Sequence, residues 1–143
     1  MSTQRGFSLI EALIALVVLS IGLIGVAAMQ LKALQSATAG YQRSVASVAA
    51  VDAQERLWAQ LATLEPGQTC AAMNTTVVES EWRNHWFQNN RYSPLRGASS
   101  AQSVIEPSGD DDSCRFDIAI VLSDDINDRL GYTFRLPNME STP

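Results

Sequence analysis

Gly6-Phe7-Ser8-Leu9-Ile10-Glu11 opens an apolar run that lasts to Met29, and Glu11 is the only charge inside it. Wound as an α-helix, Phe7 to Met29 covers about 35 Å, enough to cross a hydrocarbon core of about 30 Å. The run is therefore expected to span a membrane. An ordinary secretory signal places its apolar stretch before the cleavage site, whereas here a short polar leader, Met1 to Gly6, comes first. The apolar helix should then be retained after processing. Arg5 is the only charge ahead of the span, and the positive-inside tendency assigns it to the cytoplasmic side. Everything after about Gln30 is expected outside.

A carboxylate at mid-bilayer costs roughly 2.5–3.5 kcal/mol on insertion scales, so Glu11 needs either a partner or an escape. If the chain is cut between Gly6 and Phe7, the new α-amine lies one helical turn from Glu11. The same two charges on neighbouring copies could then pair across a helix bundle. The alternative is a plain signal-anchor helix whose Glu11 snorkels to the interface.

These residues resemble the class III signal of type IV pilins and type II secretion pseudopilins. In that family a prepilin peptidase cuts after the glycine and methylates the new N-terminal phenylalanine, and the glutamate guides packing of the apolar helices into a filament. The resemblance thus implies cleavage at Gly6/Phe7, N-methylation of Phe7 and an assembly role for Glu11. It implies an α+β, pilin-like fold, with a long N-terminal helix packed on a small antiparallel sheet. It is close over about the first 35 residues and covers the rest only in layout. The organisation it implies is a leader (1–6), a transmembrane and assembly half-helix (7–29), a periplasmic half-helix (30–64) and a small head (65–143). No cofactor is implied.

Composition agrees with a small exported protein. The 143 residues leave about 80 for a soluble head, one domain's worth, behind a helix of some 50. The net charge of −5 becomes −6 in side chains once Arg5 is removed, so no basic field exists for nucleic acid. Neither a metal-type cysteine cluster nor a phosphate-binding loop occurs.

No proline interrupts the chain before Pro66, and Gln30 to Leu64 is rich in Ala, Leu, Gln and Arg, so the helix is expected to continue to Leu64. Ala27, Leu31, Leu34, Thr38, Tyr41, Val45 and Val48 recur in steps of three and four as one stripe, and Leu57, Leu61 and Leu64 repeat it on a shifted face. The stripe is either core or a surface that neighbouring subunits cover. Gly22 and Gly25 each cost about 1 kcal/mol of helix propensity relative to alanine; they either permit unwinding or close helix approach, or are ordinary membrane glycines. Major pilins commonly carry a proline where this chain has Ala28, which points to a minor subunit. The stretch Leu16 to Gln30, with Ile21-Gly22-Leu23 and Ala27-Ala28-Met29-Gln30, is similar to the PilV group of minor pilins.

After Glu65-Pro66-Gly67 the pattern turns to strands. Phe116, Ile118, Ile120 and Leu122 alternate on one face, and Tyr132, Phe134 and Leu136 repeat the alternation. The acidic link from Ser123 to Leu130 is expected to join them as a hairpin. Thr76-Val77-Val78-Glu79 is a weaker third strand, and Arg96 to Gly109 reads as a surface loop. The Leu57/Leu61/Leu64 end of the helix should cover the sheet.

In an oxidising periplasm Cys70 and Cys114 are expected to form a disulfide, closing a loop of about 45 residues worth roughly 4 kcal/mol; two free buried thiols are the alternative. Trp82, Trp86 and Phe87 have the spacing of a short helix packed on the core, with partner contact as the other use. His85 has no nucleophile at motif spacing. Asp110, Asp111, Asp112, Asp124, Asp125 and Asp128 could attract calcium but lack the glycine and terminal glutamate of an EF-hand, so a solvated acidic surface is expected and no metal site.

The resemblance implies no enzyme but a structural subunit: a minor pilin, or alternatively a minor pseudopilin of a type II secretion system. Its implied partners are prepilin peptidase, other minor pilins and the major pilin through helix packing, and the inner membrane. A membrane-anchored periplasmic enzyme is a third class, for which no paired catalytic constellation is present.

Overall fold

The computed structural model describes residues 8–88, 92–95, 97–109 and 113–138. Its elements are helix α1 (Leu9–Leu61), a 3-10 turn (Cys70–Ala72), helix α2 (Thr75–Trp86) and strands β1 (Ser99–Ser108), β2 (Arg115–Val121) and β3 (Arg129–Arg135). The fold is α+β, as expected. Two compact units divide it, residues 1–40 and residues 41–143.

The first unit is helix alone in its described part, and every residue from 8 to 40 is exposed. Leu9, Ile24 and Met29 expose 70% or more of their surface. Apolar side chains with no interior to enter need lipid or other helices as their surroundings.

The second unit has the core. Along α1 its buried face is Ala46, Ala49, Ala50, Ala53, Leu57 and Leu61, all at 2% exposure or less. Of the two expected uses of the stripe, Tyr41 and Val48 do not serve as core, being 67% and 60% exposed, and Val45 is half-buried. The reason is size: four alanines leave room for Trp82, which is fully buried and donates its indole N–H to the Ala49 carbonyl oxygen at 2.8 Å. The helix stops at Leu61 rather than Leu64; the tighter bonds Thr63 N–H to Gln60 O and Leu64 N–H to Leu61 O close it. Leu64 still packs against the core. A turn with Pro66 second and Gly67 third (φ +89°) follows, bonded from Gln68 N–H to Glu65 O.

The expected hairpin is present. β2 and β3 pair antiparallel with Phe116 opposite Phe134, Ile118 opposite Tyr132 and Ile120 opposite Leu130, and the three β2 residues are buried. The third strand is a correction. Thr76 to Glu79 lies in α2, where the Asn74 side chain caps the helix by accepting from Val77 N–H at 3.2 Å. The segment expected as a surface loop supplies β1 instead, giving sheet order β1-β2-β3. Between Ser99 and Val104 the β1–β2 register shifts, and the buried Ser103 hydroxyl fills the gap by accepting from Val121 N–H at 3.1 Å and donating to Ser99 O at 2.7 Å.

Helix α2 closes the outer edge of β1. Ile105 N–H donates to the Glu79 carboxylate at 2.8 Å, and the Arg83 guanidinium donates to Ser103 O at 2.9 and 2.7 Å while pairing with Glu79 at 2.9 Å. Pro107, which has no N–H to offer, lies further along the same strand.

Candidate functional site

Gly6 and Phe7 lie outside the described residues. Glu11 stands in the first turn of α1, where Ser8 O accepts from both Glu11 N–H (3.0 Å) and Ala12 N–H (3.3 Å). A carboxylate in a first turn faces the positive end of the helix dipole, which offsets part of its cost in an apolar setting. Polar side chains further along the helix are absorbed by its own backbone, Ser20 within the run and Thr38 beyond it. Ser20 Oγ donates to Leu16 O at 2.7 Å, and Thr38 Oγ to Leu34 O at 2.9 Å. Glu11 is thus the only side chain between Ser8 and Met29 that brings a charge to whatever surrounds the helix.

Gly22 and Gly25 have open space where a side chain would stand. Each is a notch on an exposed helix, the geometry that lets a second helix backbone approach. At Ala28 the helix is unbroken, and every residue through it keeps α-helical geometry.

Residues 1–27 match the prokaryotic N-terminal methylation motif. Neither a curated protein nor a solved structure matches the chain. The methylation motif takes in Gly6, Phe7 and Glu11, and from Leu9 onward its residues are exposed helix. The long apolar helix that follows the motif's opening residues fits membrane anchoring, being long and apolar enough to cross a bilayer.

Among the expected features of the second unit, Cys70 and Cys114 form a disulfide, with Cα atoms 5.5 Å apart and both residues buried. Cys114 adopts φ +48°, a left-handed conformation that side chains other than glycine rarely take, at the entry to β2. Beside the bridge lies a cavity of about 310 Å³ bordered by Met73, Thr75, Ser108, Ser113 and Phe116.

The remaining expected candidates are not brought together. His85 is exposed, its ring edge-on to Trp86 at 5.3 Å. Asp110 to Asp112 lie outside the described residues. Asp125 accepts from the backbone and side-chain nitrogens of Asn127, both at 2.9 Å, and Asp128 pairs with Arg43 at 3.2 Å. No group of three metal-ligating side chains occurs among the described residues. Trp82 and Trp86 pack on the core, as the first of their two expected uses required.

Polar contacts outside those expectations hold the unit together. Trp86 Nε1 donates to Asp52 at 2.8 Å, Arg56 donates to the same oxygen at 2.8 Å, and the Tyr132 hydroxyl donates to Gln54 at 2.6 Å. Burial pushes the Asp52 carboxyl up, but the bonds from Trp86 and Arg56 outweigh it and hold the group below its ordinary value. Asp52 and Arg56, at i and i+4 on α1, carried a sequence signal for their pairing; their tryptophan partner did not.

Proposed function

We propose that the chain is a minor pilin of a type IV pilus, a membrane-anchored structural subunit that helps to initiate assembly and enters the filament or its tip. The observation that carries this reading is the methylation motif over residues 1–27, continuous with an apolar helix exposed on every side and bearing one carboxylate. Prepilin peptidase cuts between Gly6 and Phe7 and methylates Phe7, which leaves a cationic amine one turn from Glu11. Subunits then associate through their apolar helices, each Glu11 meeting the Phe7 amine of a neighbour. Before assembly the protein is anchored in the inner membrane with residues from about 30 onward in the periplasm; afterwards it is in the pilus. It performs no chemistry of its own.

A minor pseudopilin of a type II secretion system carries the same kind of motif, and Ala28 in place of a helix proline supports a minor subunit in either machine. The deciding experiment compares hosts lacking the pilus motor with hosts lacking the secretion motor. Recovery of the chain in sheared surface filaments should be lost in the first and kept in the second. The opposite pattern would assign it to the secretion pseudopilus, and an uncut Met1 terminus in wild-type membranes, read by mass spectrometry, would refute both.

A further inference from the structure

The two edges of the head's sheet are unequal. At β1 the outward groups of Ser103 and Ile105 are taken by Arg83 and Glu79, and Pro107 removes a donor. At β3 the register determines which groups face out. Leu122 N–H bonds Asp128 O and Leu136 N–H bonds Cys114 O, each at 2.8 Å, so the even-numbered residues of β3 exchange bonds with β2. Arg129, Gly131, Thr133 and Arg135 therefore direct their backbone N–H and C=O groups away from the sheet. All four are exposed, and no backbone partner meets them among the described residues.

Charge selects what can pair there. Arg115 and Arg135 stand directly opposite each other on the exposed face, a like-charge pair that is unfavourable in a sheet, and no ion pair neutralises either among the described residues. Asp117 interacts electrostatically with Arg115 while also bonding the hydroxyls of Ser108 and Thr133, and Arg135 donates to Ser113 O at 2.8 Å, so one carboxylate faces two guanidinium groups at this end of the strand among the described residues. Asp124, Asp125 and Asp128 precede Arg129 in the chain, at the other end of the strand. Antiparallel pairing of two β3 strands about Tyr132 would set Arg129 against Arg135 twice, which disfavours that register of a second copy.

We propose that the β3 edge receives an extended segment of a partner protein, which adds a fourth strand by backbone bonds to Gly131 and Thr133 and presents a carboxylate to Arg115 and Arg135. The mode is strand addition, in which the backbone supplies affinity and the charge supplies register and choice of partner. It is independent of the assembly reading, because it uses only the second unit.

The test uses the detergent-solubilised full chain and a set of seven-residue peptides of alternating Thr and Val, with one Glu moved through each position, beside Gln twins. Hydrogen exchange at single amides is the readout. The Glu peptides should slow exchange at Gly131 and Thr133 while leaving Tyr132 and Phe134, already bonded to β2, unchanged. That odd-even pattern distinguishes an added strand from adhesion to the face. Gly131→Pro, where the side-chain space is open and the lost N–H points outward, should abolish the protection. Arg115→Glu should weaken the Glu peptides about fivefold, the scale of one surface ion pair, and also raise the thermal midpoint of the head by setting opposite charges across β2 and β3. Equal binding of Glu and Gln peptides, protection of odd and even amides alike, no protection with any peptide, or self-association through β3 would each overturn the proposal.

Discussion

Ser103 shows how much one hydroxyl does in a small head. It is fully buried, and it accepts from Val121 N–H and donates to Ser99 O where the β1–β2 ladder loses register. Ser103→Ala leaves the Val121 N–H without its partner, and an unsatisfied buried donor costs about 1–3 kcal/mol. Urea unfolding of the full chain should show that loss, and an unchanged midpoint would mean that the bulge re-pairs by itself. Asp52 makes a second residue-level prediction, through pH. Its folded pKa lies below the ordinary 3.8 despite the opposing effect of burial, so its contribution is present above 3.8 and is lost as the pH falls through the depressed folded value. Trp86→Phe removes one of the bonds responsible. The gap in melting temperature between wild type and Trp86→Phe should be constant from neutral pH to about 5 and shrink below 3.8. A gap independent of pH would show that the indole acts by packing alone.

At the scale of elements, α2 and β1 depend on each other. Arg83 donates to Ser103 O and pairs with Glu79, which in turn holds Ile105 N–H. Arg83→Ala removes a charge-assisted bond to the strand and should cost about 1.5–3 kcal/mol, with faster exchange at the Ile105 amide. A destabilised head whose Ile105 amide stays protected would mean that Glu79 holds the edge unaided. These were also the elements least legible in the sequence. Thr75-Thr76-Val77-Val78 is β-branched throughout and looks like a strand, but Asn74 caps a helix there, and Val78, Trp82 and Trp86 recur every four residues on its buried face. That spacing was visible; the β-branched run masked it. For β1 the signal was weak, since only Val104, Ile105 and the alanine at 101 are apolar in Ser99–Ser108, and the register shift breaks their alternation. Its outer edge is completed by side chains from α2, a tertiary contact that no local pattern reports. The β2–β3 hairpin and the two cysteines were legible because their alternation and position are local. On α1 the helix itself is legible, but its inner face is not, because alanines give little hydrophobic contrast in an alanine-rich helix and only the tertiary contact with Trp82 singles them out.

At the scale of the whole molecule, the two units are stabilised by different surroundings. Residues 41–143 bury a core, whereas residues 8–40 expose apolar side chains all round, so the latter owe their stability to lipid or to other helices. Glu11 separates simple anchoring from assembly. In lipid the carboxylate is a cost, so Glu11→Ala should leave membrane insertion intact or improve it. If instead Glu11 meets the Phe7 amine of a neighbour inside a bundle, the same change strands that amine, and an unpaired buried charge costs about 3–5 kcal/mol. Incorporation should then fall by about a hundredfold or more, with Glu11→Asp intermediate because its charge is withdrawn by one methylene. The measurement is the quantity of chain in sheared filaments relative to the membrane pool for each variant. Equal incorporation of wild type and Glu11→Ala would make Glu11 a tolerated interfacial residue, and the assembly reading would then rest on the methylation motif alone.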